Sequence, residues 1–307
     1  MNPAQAAPAA PPGALRWDDA VKALWAFALD PVLLGGVWLR APHGPVRDRW
    51  LAEMAALGGP GVRIPTHVDD ERLLGGLDLS ASLRSGSTVA QSGLLQRAHG
   101  HWVVLPMAER MRAETLARLI QAQDRGEVHA LHVGNQAAQS CAFGVVALDE
   151  SLADEPPLAS ALCDRLSLWL DLSDLAWADV GHSAVGASPW ADDNDNGNDK
   201  TTASATTSVA SKGQAHIATP HSTRPLGLSD APPIPLALLS ARERLTHIHL
   251  NDDQTQALCH TALALGVGSL RASLAACRLA CASAAWHGHT EVSDEDVAWA
   301  ARMVLAP

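Results

Sequence analysis

A glycine-containing loop, LRAPHGPVRDRW at residues 39–50, follows a short apolar run and leads into a helical pattern. Where such a loop binds a nucleoside triphosphate it reads GxxxxGK[ST], because backbone N–H groups hold the phosphates, the lysine contacts the β- and γ-phosphates, and the hydroxyl binds Mg²⁺. Here Gly44 is present, but Arg47 stands at the lysine position and Asp48 at the hydroxyl position. Asp48 would repel a triphosphate, and Pro45 lacks a backbone donor. The loop therefore predicts a degenerate phosphate site without tight ATP binding.

Two other strand ends depart from nucleotide chemistry in the same direction. The run HWVVLP at 101–106 ends in proline, where a hydrolysing protein places the acid that holds its metal ion. Glu109 follows, and we expect it to be an ordinary first-turn acid of the next helix. The run FGVVAL at 143–148 ends in Asp149, where a polar sensor of the γ-phosphate is expected and a carboxylate would repel it. No bound metal ion and no tightly bound cofactor are therefore predicted for this chain.

The elements around these positions alternate between helical and extended patterns. Apolar periodicity predicts helices at 17–30, 46–57, about 79–84 and 109–124, and strands at 32–39, 61–64, 101–106, 143–148 and 166–172. A further extended piece at 128–133 is separated from the 143–148 strand by the turn residues Gly134 and Asn135. This alternation is typical of an α/β domain with a largely parallel sheet and helices on both faces.

The pattern along the chain predicts four regions. Residues 1–15, rich in Pro and Ala, read as a disordered leader, and residues 16–180 form the α/β core. Residues 181–232 hold almost no large apolar side chain, so we expect a disordered insertion. Residues 233–307 are helical throughout, and Ser293 followed by Asp296 predicts a helix cap. The last region is therefore expected to be an all-helical lid.

Composition narrows the possible functions. The chain has 307 residues, a formal net charge of −11 and a sequence pI near 5.6, which argues against a surface that neutralises nucleic-acid phosphates. It has no uninterrupted apolar stretch of membrane-spanning length and no signal-like start. Its five cysteines are an odd number without a spaced framework, which is typical of reduced thiols and predicts a cytoplasmic location.

Cys277 and Cys281 stand four residues apart on a predicted helix, with three histidines nearby in sequence, so a metal site is one interpretation. The favoured interpretation is a core role, because the two cysteines continue an apolar helical stripe. The stripe comprises Leu270, Leu274, Cys277, Cys281 and Ala285.

Several long stretches resemble one family. They are RIPTHVDDERLLGGLDLSASLRSG, QSGLLQRAHGHWVVLPMAERM, FGVVALDESLADEPPLASALCDRLSLWLDL and LGVGSLRASLAACRLACASAAWHGHTEVSDEDVAWAARMVLAP. Together with the loop APHGPVRDRW, they are similar to the AAA+ portion of magnesium chelatase D subunits from bacteriochlorophyll-making bacteria. The resemblance implies an AAA+ core with a helical lid, acting without its own ATP hydrolysis. It also implies a hetero-oligomeric ring with the ATP-hydrolysing I subunit, which works with the porphyrin-carrying H subunit to insert Mg²⁺ into protoporphyrin IX. ATP and Mg²⁺ would then lie at interfaces with the I subunit.

The same resemblance implies roles for two arginines. Arg165 resembles an arginine finger that reaches the nucleotide of a neighbouring protomer, with a surface pair to Asp164 or Asp171 as the alternative. Arg271 resembles the sensor-2 arginine, with a simple salt bridge as the alternative. The charged loop 65–79 resembles a segment shared by both ring subunits and is expected at a subunit face.

A separate hypothesis comes from the phosphate loop itself, where Arg47 and Arg49 could fill the vacant pocket with their own side chains.

Two other functions remain open. One is a self-sufficient MoxR or helicase-like AAA+ ATPase, which Arg47, Asp48 and the missing strand-end acid disfavour. The other is a free-standing regulatory module that uses the AAA+ fold as a shape only.

Overall fold

A computed structural model describes residues 12–59, 61–87, 89–131, 138–151, 158–180 and 235–306. Most of the predicted leader, the turn at Gly134 and Asn135, and the predicted 181–232 insertion lie outside the described residues. Within the described part, the first helix begins at Pro12, inside the predicted leader.

The strands of the described chain are numbered here in chain order. They are β1 (Gly36–Arg40), β2 (Val62–Arg63), β3 (Gly75–Leu77), β4 (Ala90–Ser92), β5 (Trp102–Leu105), β6 (Glu127–Val128), β7 (Gln139–Ser140), β8 (Gly144–Asp149) and β9 (Leu168–Asp171).

Five of these strands form one parallel sheet in the order β2-β5-β8-β1-β9. β8 is buried along its entire length, as expected for a central parallel strand covered on both faces. The chain leaves β1 toward β2 at one edge of the sheet, whereas it leaves the neighbouring strand β8 toward β9 at the other edge. The loop after β1 therefore lies at the topological switch point, where α/β folds hold their ligands.

The helices of the described residues are also numbered in chain order. They are α1 (Pro12–Leu29), α2 (Pro45–Gly58), α3 (Asp70–Leu74), α4 (Leu79–Ser85), α5 (Leu94–Arg97), α6 (Ala113–Arg125), α7 (Ser160–Cys163), α8 (Trp177–Val180), α9 (Leu236–Leu245), α10 (Asp252–Ala264), α11 (Leu270–His287) and α12 (Asp294–Leu305); a single 3₁₀ turn spans Ala108–Arg110.

Two hydrophobic cores lie on opposite faces of the sheet. One contains side chains of α3, α5 and α6. The other is continuous from α1 and α2 into the helices after residue 235, so the lid shares a core with α1. The rings of Trp25 on α1 and Trp286 on α11 lie 4.6 Å apart, and Asp19 accepts hydrogen bonds from Trp299 and Arg302 of α12. These contacts fix the lid against the first helix of the core.

The structure corrects several expectations about local elements. The predicted helix at 109–124 begins at Ala113 and is preceded by the 3₁₀ turn, because Met107 takes a left-handed backbone conformation with φ 47°. The predicted loop 65–79 contains α3 and the strand β3, which pairs antiparallel with β4. The extended piece after residue 127 pairs with β7 rather than joining β8.

The predicted cap of the last helix is confirmed as a capping box between Ser293 and Asp296. Asp296 is buried and also accepts hydrogen bonds from Ser283 and His289. Burial alone would raise the pKa of Asp296, but these hydrogen bonds outweigh it and lower the pKa to about 2. The charged carboxylate therefore holds together α11, α12 and the turn between them.

We expect Asp296→Asn to destabilise the chain by about 2 kcal/mol at pH 7, because the pKa of Asp296 is depressed in the folded state. This contribution is present above the unfolded pKa near 4 and is lost as pH falls toward 2. Urea unfolding of both proteins between pH 7 and pH 3 measures it. The stability difference should shrink below pH 4, and a constant difference would contradict the assignment.

Candidate functional site: a degenerate phosphate loop and an arginine edge

The loop after β1 lies at the carboxyl end of the sheet, beside the end of β8. The Ala41 amide donates to the Asp149 carbonyl at 3.1 Å, and the Leu172 amide donates to the Arg40 carbonyl at 2.8 Å. The loop is thus fixed between the ends of β8 and β9. Gly44 caps α2 in an extended conformation, and Pro45 occupies the first helical position.

Arg47 forms the central interaction of this site. Its side chain is 8% exposed, and its guanidinium pairs with the carboxylate of Glu150, the residue directly after β8. A lysine at this position of a functional loop would face phosphate oxygens. Here a carboxylate of the same chain takes the place of that anion, so the charge of Arg47 is paired without nucleotide, although its buried Nε has no hydrogen-bond partner among the described residues. This supports the hypothesis that Arg47 fills the pocket.

Arg49 does not take part, which corrects the other half of that hypothesis. Its side chain is half exposed and pairs with Glu53 one turn further along α2, at 2.5 Å. The difference follows from helical geometry, since residues 47 and 49 lie on different faces of α2.

Two further acids surround the pair. Asp149 is buried, accepts a hydrogen bond from the indole of Trp38 at 2.9 Å and a second from the Ser151 amide at 2.8 Å. The Glu109 side chain is almost fully buried and accepts from the Glu150 amide at 3.4 Å. Burial raises the pKa of Glu109, and the nearby Asp149 charge adds to the effect.

Glu109 is therefore more than the first-turn helix acid that the sequence predicted. With Asp149 and Glu150 it gives this end of the sheet three carboxyl groups, of which Glu150 pairs with Arg47 and Glu109 lies 3.4 Å from Nε of Arg110. Such an arrangement favours a cation over a triphosphate, because like charges repel strongly where water is excluded.

A cavity of about 170 Å³ lies beside the loop and is lined mainly by apolar residues. Pro42, Val46, Leu172, Leu175 and Trp177 contribute most of its wall. A Cβ on Gly44 would meet no atom within 4 Å, so no close approach of protein atoms requires glycine there. The lining offers few donors to an anionic ligand.

Arg165 lies at the opposite end of the sheet, in the turn between α7 and β9. A Cβ built on Gly35, just before β1, would meet the Arg165 carbonyl at 2.3 Å, which places this turn at the amino end of β1. Five residues of strand, roughly 16 Å at 3.3 Å per residue, separate it from the phosphate loop. Arg165 therefore cannot serve the site of its own protomer.

The Arg165 side chain pairs with Asp124 at the end of α6, with distances of 3.0 Å from Nε to Oδ1 and 2.5 Å from Nη2 to Oδ2. This corrects the alternative that named Asp164 or Asp171 as partner. The hydrogen bonds from Arg165 lower the pKa of Asp124, and the carboxylate in turn raises the pKa of Arg165. No pattern in the sequence points to this partner, which is distant along the chain.

Arg271 of the lid reaches the same cluster. Its Nη2 lies 3.4 Å from Asp124 Oδ1, and its Nε lies 3.4 Å from Asp164 Oδ2. The salt bridge expected as its alternative role is thus present. The structure brings Arg165 and Arg271 together, and both lie away from Gly44, Arg47 and Asp48.

The cysteine stripe on α11 is only partly a core feature. Cys281 and Ala285 are buried, but Leu270 and Leu274 are 73% and 58% exposed, because the first turns of α11 extend beyond the helices that cover its later turns. Among the described residues, no group of three or more His, Cys, Asp or Glu side chains is placed to hold a metal ion. None of the described helices is long and apolar enough to cross a membrane.

Comparison with protein families matches residues 255–307 to the AAA lid domain. Among solved structures, a protein from Cytophaga hutchinsonii described as a candidate ATPase superposes with a TM-score of 0.60 at 14% identity, covering 95% of this chain and 88% of that one. With the parallel sheet, these matches establish an AAA+ α/β fold with a C-terminal helical lid, as the sequence predicted.

Curated relatives match nearly the whole chain. The magnesium-chelatase 60 kDa subunit of Cereibacter sphaeroides is 33% identical over 290 residues, which is 94% of this chain and 40% of the relative. The corresponding subunit of Rhodobacter capsulatus is 31% identical over 92% of the chain. The 67 kDa subunit of Chlorobaculum tepidum is 29% identical over 94% of it. The chain spans about two-fifths of the length of these relatives.

We expect Glu150→Ala to destabilise the chain by about 3 kcal/mol, because it leaves the buried charge of Arg47 without its partner, and Arg47→Ala to cost less, because Glu150 is 28% exposed. The double variant should lose clearly less than the sum, by about 1 to 3 kcal/mol. Urea unfolding of the four proteins measures this coupling. The exposed Arg49 and Glu53 pair is the matched control and should couple by less than about 1 kcal/mol. Additive losses at Arg47 and Glu150 would contradict the proposed pairing.

Proposed function

This chain is an AAA+ protein homologous to the 60 and 67 kDa subunits of magnesium chelatase, and we propose that it is a platform subunit that does not hydrolyse ATP itself. In this proposal it assembles in the cytoplasm with an ATP-hydrolysing AAA+ subunit into a hetero-oligomeric ring. The ring acts with a porphyrin-carrying subunit to insert Mg²⁺ into protoporphyrin IX. Mg²⁺ and the porphyrin are substrates of the whole assembly.

The ion pair between the buried Arg47 and the partly exposed Glu150 carries the proposal that the pocket of this chain is inactive. A triphosphate bound here would have to separate this pair, and Glu150 would then face the phosphates as an unpaired anion. Asp48 at the hydroxyl position supplies no Mg²⁺-binding alcohol, and Pro45 supplies no amide. The ion pair, Asp48 and Pro45 each make ATP binding less favourable. Together they disfavour binding at physiological nucleotide concentrations.

The arginine edge supports a contribution to a neighbouring protomer. Arg165 and Arg271 lie together at the amino end of the sheet, roughly 16 Å along β1 from their own phosphate loop. ATP sites of AAA+ rings form between protomers, so such an edge can face the nucleotide of the next subunit. We assign Arg165 to the γ-phosphate and Arg271 to a sensor-2-like contact. ATP and Mg²⁺ would then be held by the loop of the partner ATPase.

Two rival functions differ in what they require of these residues. A self-sufficient ATPase of the MoxR or helicase-like kind needs a working loop of its own, which Arg47 and Asp48 do not provide. A free-standing regulatory module needs no contact with a motor subunit and would leave the arginine edge without a function. Relatives of this chain are named as chelatase subunits, which favours the platform.

We expect the isolated protein to show no saturable binding of Mg²⁺-ATP below about 1 mM, which is weaker than about −4 kcal/mol. Isothermal titration or a fluorescent ATP analogue measures this, with the ATPase subunit as positive control. Binding in the micromolar range that is lost on Arg47→Ala would locate ATP in the loop and contradict the proposal.

We expect Arg165→Ala to abolish the change in ATPase rate that this protein causes when it is mixed with the motor subunit. The loss of a cation at the γ-phosphate lowers kcat by about 10³-fold in related systems, so a fall of at least 10-fold is a conservative expectation. Metal insertion by the complete assembly should fall in parallel. Arg49→Ala, an exposed arginine on α2, is the control, and equal rates for wild type and Arg165→Ala would remove the trans role.

A further inference from the structure

The Arg165 guanidinium donates hydrogen bonds to three acceptor atoms of its own chain. Nε and Nη2 donate to the two oxygens of Asp124, and Nη1 donates to the Ala161 carbonyl at 2.6 Å. Three of the five guanidinium N–H donors are thus used, which leaves one on Nη1 and one on Nη2. These remaining donors are the ones able to meet a phosphate oxygen.

The backbone that carries Arg165 is held as firmly as its side chain. The Arg165 carbonyl packs against Gly35, where φ is +74° and any Cβ would collide with it at 2.3 Å. The Gly35 carbonyl accepts a hydrogen bond from Gln123 at 2.8 Å, and Gln123 immediately precedes Asp124 on α6. One end of α6 therefore fixes both the turn and the side chain of Arg165.

Asp124 also connects this turn to the lid. Arg271 approaches its Oδ1 at 3.4 Å, while Ser269 and Arg271 both contact Asp164, the neighbour of Arg165 in sequence. Two guanidinium groups this close repel each other unless an anion lies between them. Asp124 supplies that anion, and its side chain remains 34% exposed while that of Arg165 is 16% exposed.

We propose that Asp124 is a positioning residue, which holds the Arg165 guanidinium so that its remaining donors on Nη1 and Nη2 can meet a phosphate of the neighbouring protomer, and which keeps Arg271 beside it. This inference rests on the proposed trans role of Arg165 and adds a residue that acts only through it. A pre-oriented guanidinium loses less side-chain entropy when it meets the transferring phosphate, so its effect falls on the chemical step.

The test compares Asp124→Asn, Asp124→Glu and Arg165→Ala in the assembly with the ATPase subunit. Asp124→Asn keeps the size of the side chain but removes the second charged acceptor, so Arg165 can rotate. We expect it to lower kcat for ATP by about 10-fold while KM changes less than about 2-fold, because misplacement of a transition-state contact acts on the chemical step. Asp124→Glu keeps the carboxylate and should recover part of the loss.

Asp19→Asn is the matched control. Asp19 also joins the core to the lid, through Arg302 at 2.8 Å and Trp299 at 2.9 Å, but it lies on α1, outside the Arg165 cluster. It should leave kcat unchanged although it loosens another lid contact. Sedimentation of each mixture checks that the ring still forms.

The outcomes distinguish the trans role of Arg165 from the positioning role of Asp124. A loss of kcat in both Asp124→Asn and Arg165→Ala, with partial recovery in Asp124→Glu, supports the inference. A loss in Arg165→Ala alone overturns the role of Asp124 and leaves the proposed function intact, and so does a rise in kcat for Asp124→Asn. No loss in Arg165→Ala overturns the trans role and the inference with it. An equal loss of kcat in Asp19→Asn would show that Asp124 acts only by contacting the lid, and it would also overturn the inference.

Discussion

The ion pair between the buried Arg47 and the partly exposed Glu150 is the constraint on which the rest of the site depends. The parallel sheet places the end of β1 next to the end of β8, so the loop after one strand must face the residue that follows the other. A cation on α2 and an acid after β8 therefore meet inside the fold. Neither charge can be removed alone without stranding its partner in a poorly solvated place. The cation of Arg47, which stands where a lysine would contact phosphate, is thus paired with an acid of the same chain.

That pairing divides the protein into two chemically different ends. At the carboxyl end of the sheet, Glu150 pairs with Arg47, Glu109 and Asp149 add two more carboxyl groups, and the adjoining cavity is mostly apolar. At the amino end, Asp124 and Asp164 hold two guanidinium groups partly exposed to solvent. An anionic ligand brought by another molecule would find two neighbouring guanidinium groups at the second of these ends. The two ends of the sheet thus differ. At one end the loop cation Arg47 pairs within the chain, and at the other end Arg165 and Arg271 are partly exposed to a neighbouring protomer.

Local patterns were enough to predict most of the fold. The loop at 39–50, the strands β5 and β8, the helix α6 and the cap at Ser293 follow from periodicity and capping chemistry, which act over a few residues. The pairing of β3 with β4 and the exposure of Leu270 were missed, because both depend on which other elements cover a segment. In the site, Arg47, Asp48 and Asp149 were identified from their positions in the loop and strand ends. Asp124 and the burial of Glu109 could not be, since each is set by packing between elements far apart in sequence. Glu150 was within reach of sequence reasoning, because it follows Asp149 on the strand that must neighbour β1.

The central claim is that this protein acts through its arginine edge and not through its own phosphate loop. Cryo-electron microscopy of the assembled ring with a non-hydrolysable ATP analogue and Mg²⁺ tests that claim most directly. The account predicts nucleotide density where the loop of the ATPase subunit faces Arg165, with the pair of Arg47 and Glu150 intact and no nucleotide beside it. Ordered nucleotide between Gly44 and Asp48, with Arg47 turned from Glu150 to the phosphates, would contradict it.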